Sequence, residues 1–255
     1  MEEKPLVSIV MPAYNSEKTI AASILSVKNQ TYQNWELIVI DDASVDSTCS
    51  IIDLFAKKDN RIRFFRFDTN QGAAAIRNHG INLCSGTYVA FIDSDDTWIT
   101  QKLEKQLCYI EDFGADLCYT SYALTNIAGE KVRPDYIVPS KATFNLLLKE
   151  NVIGCSTVLV SAEVIKNHRF KSDFYHEDYV LWLELLKNGC TAVGCRDVLT
   201  NWCLHENSRS YNKFSSLKSR WRIYRDYLEL NLIKSIYYLI CYSFAGVYKY
   251  GRKLK

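Results

Sequence analysis

A dense group of acidic side chains, Asp93-Ser94-Asp95-Asp96, directly follows the apolar run Tyr88-Val-Ala-Phe-Ile92. Carboxylate oxygens are the ligands that Mg²⁺ and Mn²⁺ prefer, and carboxylates so close together repel one another unless a cation lies among them. A single aspartate here would be an ordinary helix cap, but capping does not account for three aspartates in four residues. The segment therefore predicts a divalent-metal site.

Two further polar segments follow apolar runs earlier in the chain. Pro12-Ala-Tyr14-Asn15 comes after Val7-Ser-Ile-Val-Met11, and Asp41-Asp42-Ala-Ser44 comes after Leu37-Ile-Val-Ile40. If these runs are strands of a parallel sheet, their carboxyl ends lie at one edge, where open α/β sheets bind ligands. We therefore expect both segments to meet the aspartate cluster at a single site.

The elements that position these segments form a βα succession over the first half of the chain. The pattern predicts strands at 6–11, 36–40, 62–67 and 88–92, and helices at 16–29, 47–57, 73–83 and 100–113. Continuously apolar strands are typical of a sheet that is covered on both faces. The sequence thus predicts an α/β fold with a Rossmann-like, mixed and mostly parallel sheet flanked by helices.

The second half of the chain has a less regular pattern. It predicts strands near 117–122, 156–161 and 201–205, helices near 143–149 and 177–188, and an irregular polar stretch that contains Pro134 and Pro139. No Gly/Ser-rich linker separates this half from the first. We expect one domain over residues 1–212, followed by a basic, aromatic helical tail at 213–255.

The charge of the tail differs from that of the body. Residues 213–255 carry 10 Lys and Arg against 2 Asp and Glu, whereas residues 1–212 carry 21 against 27. An acidic body argues against nucleic-acid binding. Only 14 uncharged residues separate Lys234 from Lys249, short of the ~18–20 needed to span a bilayer. We favour an in-plane anchor at anionic lipid over a helix docked on the body or a true span.

Several motifs occur together in one order. They are Val7-Ser-Ile-Val-Met-Pro-Ala-Tyr-Asn15, Ile40-Asp-Asp-Ala-Ser44, Asn70-Gln-Gly-Ala-Ala-Ala-Ile-Arg-Asn78, Asp93-Ser-Asp-Asp96 and His176-Glu-Asp178. With these motifs, residues 5–210 resemble the family-two inverting glycosyltransferases, which have the GT-A fold. The resemblance implies a nucleotide-binding half at about 5–115 and an acceptor half at about 116–212.

The resemblance also implies roles on the donor side. Pro12, Tyr14 and Asp42 would line the uracil and ribose pocket, with Asp42 accepting a hydrogen bond from the base. Arg77 would approach the nucleotide from a predicted helix, although a surface ion pair is the alternative. Asp95 would be the central ligand of Mn²⁺ or Mg²⁺. Asp93 and Asp96 would support it, and Asp93 would also contact the nucleotide sugar, since the family pattern gives one aspartate of the motif to the metal and another to the ribose and can be read here in two registers.

On the acceptor side, the resemblance implies that Asp178 is the catalytic base of an inverting transfer. Acidic residues are also favoured at a helix N-terminus by the helix dipole alone, so the local sequence leaves a purely structural role open. Glu177 and, more weakly, His176 would meet the acceptor. His205 resembles a late histidine that some relatives bring to the metal, and an ordinary structural role is its alternative.

We therefore expect an inverting transferase that moves a hexose, with glucose from UDP-glucose as the specific prediction, in β-linkage onto a lipid-diphosphate-linked GlcNAc-type acceptor. By resemblance, the setting is O-antigen or other surface polysaccharide synthesis. A nucleotidyltransferase should have a Gly-rich basic loop after the first strand, and a non-catalytic sugar-nucleotide-binding scaffold should lack the carboxylates. A polar start without a signal-peptide core and nine scattered cysteines predict a cytoplasmic protein, peripheral to the inner face of the cell membrane.

Overall fold

The computed structural model describes residues 4–204 and 213–251, and it describes side chains for 4–204 and 215–246. The strands are β1 (Val7–Ala13), β2 (Trp35–Asp42), β3 (Ile62–Phe67), β4 (Tyr88–Phe91), β5 (Thr97–Trp98), β6 (Leu117–Thr125), β7 (Lys131–Tyr136), β8 (Lys141–Ala142), β9 (Val158–Ser161) and β10 (Ala192–Cys203). The α-helices are α1 (Ile20–Lys28), α2 (Thr48–Ala56), α3 (Ala73–Leu83), α4 (Lys102–Phe113), α5 (Phe144–Lys149), α6 (Ala162–Ile165), α7 (Glu177–Lys187), α8 (Lys213–Arg222) and α9 (Leu232–Gly251). A 3₁₀ turn (Cys155–Thr157) precedes β9, and a π-helical turn (Ile223–Tyr227) extends α8.

All ten strands belong to one mixed sheet with the order β3-β2-β1-β4-β9-β6-β10-β5, to which β7 is added beside β6 and β8 beside β10. The first four strands of this order are parallel to one another. β9 is antiparallel to both β4 and β6, and β6 is parallel to β10. The predicted mixed α/β fold is confirmed, with six strands running in one direction. The parallel half places the carboxyl ends of β2, β1 and β4 side by side.

Helices cover both faces of the sheet and bury two hydrophobic cores. Alternate residues of a strand serve opposite cores, as the two-residue period of a strand requires: Val10 packs with α3 and α7, while Ile9 and Met11 pack with α1 and α4. Because both faces are buried, the strands show no polar alternation. That is why the predicted strands read as continuous apolar runs.

Some boundaries differ from those predicted. The stretch around Pro134 was expected to be irregular, but it forms β7 (Lys131–Tyr136), which pairs only with β6 among the described strands. A proline is tolerated there because an edge strand leaves its outward positions without a ladder partner. The last strand of the body begins at Ala192 rather than near Asn201, and its register shifts around Val198 hide its periodicity. The first helix begins at Ile20, four residues later than predicted.

The described part of the tail packs against the acceptor half through α9, which contacts both α5 and α8. The Arg220 guanidinium is buried between two aromatic rings, 3.1 Å from the ring centroid of Tyr179 in α7 and 4.5 Å from that of Tyr242 in α9. The Tyr224 hydroxyl donates to the Leu148 carbonyl at 2.6 Å. One side of the tail is therefore docked on the body. Within the described ranges, no helix combines the length and apolarity needed to cross a bilayer.

Candidate active site

The aspartate cluster lies just beyond the carboxyl end of β4. One carboxylate oxygen from each of Asp93, Asp95 and Asp96 can be chosen so that all three atoms lie within 4.8 Å of one another. This spacing fits a single cation with hard oxygen ligands. The sequence prediction that these three side chains converge is thus met by the geometry, while their division into central and supporting ligands stays a prediction.

Groups distant in the sequence hold the cluster in place. The Asp93 N–H donates to the Ser156 hydroxyl at 3.0 Å, and the Cys203 N–H donates to Asp96 Oδ1 at 2.8 Å. The Trp98 indole N–H donates to the Ser156 carbonyl at 2.8 Å. The 3₁₀ turn that precedes β9 and the last residue of β10 therefore fix the metal motif from the acceptor half. The sequence analysis did not identify Ser156, since nothing in its neighbours marks a serine in the turn before a buried strand.

The electrostatics of Asp96 support the presence of a cation. Burial raises the pKa of this carboxyl well above its usual range, and the negative charges of Asp95 and Asp93 raise it further. The Ser156 hydroxyl and the Cys203 N–H offset only part of this effect. A divalent ion among the three carboxylates would favour the ionised form of Asp96 and balance the repulsion. The residues present therefore fit a metal.

Arg77 joins the metal motif to the predicted catalytic helix. Its Nη2 donates to Asp93 Oδ1 at 2.6 Å, and its Nη1 donates to Glu177 Oε1 at 2.8 Å. Arg77 and Glu177 are each only 5% exposed. The surface ion pair considered as an alternative for Arg77 is therefore wrong, because this pair is buried. Contact between Arg77 and a nucleotide stays a prediction, and so does contact between Glu177 and an acceptor.

Asp178 is the second residue of α7 and lies half-buried at the same edge of the sheet. The pKa of this carboxyl is raised to about 6, first by burial and then by the neighbouring Glu177 carboxylate, while the Arg77 guanidinium partly offsets the rise. A carboxylate with this pKa is ionised at neutral pH yet basic enough to take a proton from a hydroxyl group. The geometry is therefore compatible with the base that was predicted.

The loops after β1 and β2 form the other wall of the site. Tyr14 is 51% exposed, so its ring is available to a ligand, and Pro12 pairs with Ile40 at the end of β1. The buried Asp42 carboxylate accepts the N–H groups of Gln71 at 2.6 Å and Gly72 at 2.8 Å. These two bonds fix Asp42 against the start of α3. Whether Asp42 also accepts from a nucleobase stays a prediction.

The loops after β1 and β2 contain strained backbone. Asn15 and Ala43 have positive φ values of 47° and 63°, a conformation that costs a non-glycine residue energy and clusters at ligand sites. Cross-loop bonds hold it: the Asn15 N–H donates to Ser44 Oγ at 2.9 Å, and the Val45 N–H donates to Asn15 Oδ1 at 3.0 Å. Asn15 and Ser44 are positioning residues; the sequence analysis placed both in polar segments of the site but gave neither a role of its own. An asparagine, which tolerates positive φ, just beyond a strand was the available signal.

Two weaker predictions concern histidines. His176 lies at the N-terminal boundary of α7, where its ring packs edge-on against Tyr175 at 5.0 Å. Its contact with an acceptor stays a prediction. His205 lies outside the described residues, so its assignment as a metal ligand also stays a prediction.

Comparison with known proteins agrees with this geometry. Residues 8–167 match the family described as Glycosyl transferase family 2. The chain belongs to this glycosyltransferase family. The match includes the loops after β1 and β2, Arg77 and the whole aspartate cluster, and ends before α7. The family assignment argues against the nucleotidyltransferase alternative.

Two relatives are similar to this glycosyltransferase over nearly their whole length. It is 40% identical to the Escherichia coli UDP-Glc:alpha-D-GlcNAc-diphosphoundecaprenol beta-1,3-glucosyltransferase WfgD, over 97% of this chain and 98% of that protein. It is 35% identical to the putative teichuronic acid biosynthesis glycosyltransferase TuaG of Bacillus subtilis, over 96% of this chain and 98% of that protein. Both relatives are named as glycosyltransferases of polysaccharide or lipid-linked saccharide synthesis.

Solved structures show the same fold. S. aureus TarS in complex with UDP-GlcNAc has a TM-score of 0.72 at 21% identity, over 89% of this glycosyltransferase and 67% of that chain. The mannosyltransferase PcManGT from Pyrobaculum calidifontis, in complex with GDP-Man and Mn²⁺, has a TM-score of 0.70 at 15% identity, over 94% and 69%. At such identities the likeness establishes the GT-A fold.

Proposed function

We propose that the protein is an inverting hexosyltransferase that moves glucose from UDP-glucose, in β-linkage, onto a lipid-diphosphate-linked GlcNAc-type acceptor. The observation that carries the proposal is the Arg77 bridge, because one guanidinium spans from Asp93 of the metal motif to Glu177 beside the candidate base. The donor diphosphate and the base of a single displacement need this proximity. The name of the 40% identical relative WfgD supports the choice of glucose and of the acceptor.

The reaction is a displacement at the anomeric carbon of the sugar. Asp178 accepts the proton of the acceptor hydroxyl while that oxygen forms a bond to the anomeric carbon. The bond from the anomeric carbon to the diphosphate oxygen breaks, and UDP leaves with the electron pair. Attack on the face opposite UDP inverts the anomeric configuration, so an α-linked donor gives a β-linked product.

The chain's own residues prepare this step. Asp93, Asp95 and Asp96 would hold Mn²⁺ or Mg²⁺, which when bound supplies positive charge to the leaving diphosphate. Tyr14, at an exposed position beside the strained loops, would face the uracil ring. Pro12 and Asp42 would complete the nucleotide pocket.

The Arg77 guanidinium donates to Glu177 Oε1 and fixes this side chain beside Asp178. By this contact it orients the start of α7 towards the donor.

The proposed setting is the cytoplasmic face of the cell membrane, in O-antigen or other surface polysaccharide synthesis. The relatives WfgD and WfaP of Escherichia coli are named for an acceptor carried on diphosphoundecaprenol, at 40% and 34% identity to this chain. A lipid carrier of this kind keeps its saccharide at a membrane surface. We therefore infer a peripheral enzyme that meets its acceptor there.

The test is UDP release from a panel of UDP-sugars with Mn²⁺, using a short-chain lipid-diphosphate GlcNAc acceptor. We expect turnover with UDP-glucose, loss of turnover with a chelator, and a β-linkage in the product by proton NMR. Asp178→Asn should lower kcat by about 10²–10⁴-fold while UDP still binds, since general base catalysis contributes that much. Asp173→Asn is the matched control because it changes an exposed aspartate five residues away, in the turn that precedes α7.

Four outcomes would contradict the proposal. An α-linked product would refute inversion, and preference for another donor would refute glucose. Full activity in Asp178→Asn would refute the assignment of Asp178 as the catalytic base. If UDP binds but no donor turns over with any GlcNAc-type acceptor, the proposed acceptor is wrong or the protein is a non-catalytic scaffold.

A further inference from the structure

Helix α9 (Leu232–Gly251) exposes an apolar stripe although it is docked on the body. The stripe consists of six large side chains that are all exposed: Leu232, Ile233, Ile236, Tyr237, Ile240 and Phe244. At 3.6 residues per turn these positions fall within an arc of about 140° on one side of the helix. A contiguous exposed patch of this kind marks an interaction surface.

The other side of α9 cannot exchange places with the stripe, because it is held by the body. Ser235 is fully buried, and Leu239 packs against the hydrophobic core of the body. The Tyr238 ring packs 6.1 Å from the ring of Tyr224, which belongs to the hydrophobic core. The stripe therefore faces outward as a fixed feature of the fold.

Basic groups border the stripe, and acidic groups are missing from its sequence. No Asp or Glu follows Glu229 in the sequence. Lys234 is exposed beside the stripe, and the Lys149 ammonium of α5 lies 5.9 Å from the Tyr237 ring centroid. Apolar residues with a tyrosine and bordering lysines are the composition that binds at an anionic lipid interface.

We propose that the apolar stripe of α9 is the surface by which the protein binds the anionic headgroup region of a membrane, with the helix in the plane of the bilayer. The stripe enters the interface, and Lys234 and Lys149 remain among the headgroups. Because α9 is docked through α8 to α7, this binding also sets the orientation of the catalytic edge relative to the membrane. The inference concerns the partner surface and does not depend on the sugar that is transferred.

A second copy of the chain is the rival occupant, since apolar stripes also form homodimers. The basic border disfavours this arrangement. A two-fold contact through the stripe would bring Lys234 and Lys149 of both copies into one interface. Like charges in such an interface cost energy. An anionic surface instead lowers the energy of every basic group that borders the stripe.

The experiment is flotation of the full chain with vesicles of phosphatidylethanolamine and phosphatidylglycerol, and with vesicles of phosphatidylcholine alone. We expect binding to the anionic vesicles that weakens as salt is raised. The double variant Ile233→Gln/Phe244→Gln should bind about tenfold more weakly or worse, since each change removes a large apolar side chain from the interface. Lys234→Gln should lower the affinity about fivefold, and only for anionic vesicles.

The matched control is Leu54→Gln/Phe113→Gln, which removes two apolar side chains, 58% and 65% exposed, from α2 and α4. It should bind vesicles like the wild type. The stripe positions Ile233 and Phe244 are 81% and 73% exposed, so the double variant should keep its fold, which circular dichroism and thermal unfolding would verify.

The proposal is overturned if the wild type does not float with anionic vesicles, or if the stripe variant floats as well as the control. Analytical ultracentrifugation separates the rival: a dimer that the stripe variant abolishes, with vesicle binding unchanged, assigns the stripe to a second copy. UDP release with the short-chain acceptor needs no vesicle. Failure of the membrane proposal is therefore distinguishable from failure of the proposed activity.

Discussion

Replacing Arg77 with methionine tests whether one buried cation holds the active site together. The substitution keeps a long side chain in place but removes the charge that lies 2.6 Å from Asp93 Oδ1 and 2.8 Å from Glu177 Oε1. Glu177, with a side chain only 6% exposed, would be left as a buried charge without this partner, whereas Asp93 at 35% is partly solvated. Because removing one member of a buried pair costs about 3–5 kcal/mol, we expect a loss of about 3 kcal/mol in the free energy of unfolding.

The assay is urea unfolding of four proteins: the wild type, Arg77→Met, Glu177→Gln and the double variant. In the double variant neither side of the pair is charged. Its loss in the free energy of unfolding should therefore be about 2 kcal/mol smaller than the sum of the losses in the two single variants. The matched control is Arg222→Met, which breaks an exposed pair with Asp226 and should cost less than about 1 kcal/mol.

Activity provides a second measurement of the same contact. Arg77→Met releases the start of α7, and a shift of about 1 Å at a reacting group lowers the rate by about 10²-fold. Arg77 lowers the pKa of Asp178, so its loss should move the acidic limb of the pH profile to higher pH.

A coupling energy below about 0.5 kcal/mol would refute the idea that Arg77 and Glu177 act as a unit. An unchanged pH profile in Arg77→Met would separately refute its influence on the base.

Three other predictions concern the base, the metal site and the packing of α3. The pKa of Asp178 is raised to about 6, so kcat/KM should fall about tenfold per pH unit below pH 6, where the base is protonated, and stay level above it; a flat profile from pH 5 to pH 7 would contradict this. Saturating Mn²⁺, at about 100 times its Kd, should stabilise the wild type by about 2.7 kcal/mol, and calorimetry of Asp96→Asn should show most of this gain lost; an equal gain in both proteins would exclude Asp96 as a ligand. Gly80→Ala places a Cβ 2.3 Å from Val10 Cγ1 and should lower the free energy of unfolding by about 1–3 kcal/mol. The control Gly246→Ala, with open space around its Cβ, should raise it by roughly 0.5–1 kcal/mol. Equal unfolding midpoints in the two variants would show that β1 and α3 can move apart.

The sequence by itself determined the parallel half of the fold and the metal motif. Val7 to Met11, Leu37 to Ile40 and Tyr88 to Ile92 are apolar runs of strand length, and each is followed by the polar residues that line the site. Such signals are local: burial on both faces makes a strand continuously apolar, and a ligand edge places polar residues directly after it. The assignment of Asp178 as the catalytic base comes from the resemblance rather than from its local pattern, and it stays a prediction.

The local sequence pattern did not predict the strands that are defined by long-range pairing. Lys131–Tyr136 contains a proline, which argues against a strand until its place at the edge beside β6 is known. The twelve-residue β10 contains register shifts that interrupt its alternation, so only its last residues were predicted as a strand. For the tail, the sequence favoured a lipid anchor over a helix docked on the body; the burial of Arg220 against Tyr179 of α7 shows that α8 is docked, and lipid binding stays a prediction.

Only the tertiary structure decided how the site is held together. Arg77 and Glu177 are 100 residues apart in sequence, and Ser156 lies 63 residues from the aspartate whose N–H it accepts. No periodicity or motif spacing specifies such pairs, because the partners are brought together by the order of strands in the sheet and not by their distance along the chain. The residue types at the ligand-binding edge of the sheet can therefore be predicted from the sequence. Their hydrogen bonds, burial and pKa values arise only when the two halves of the sheet join.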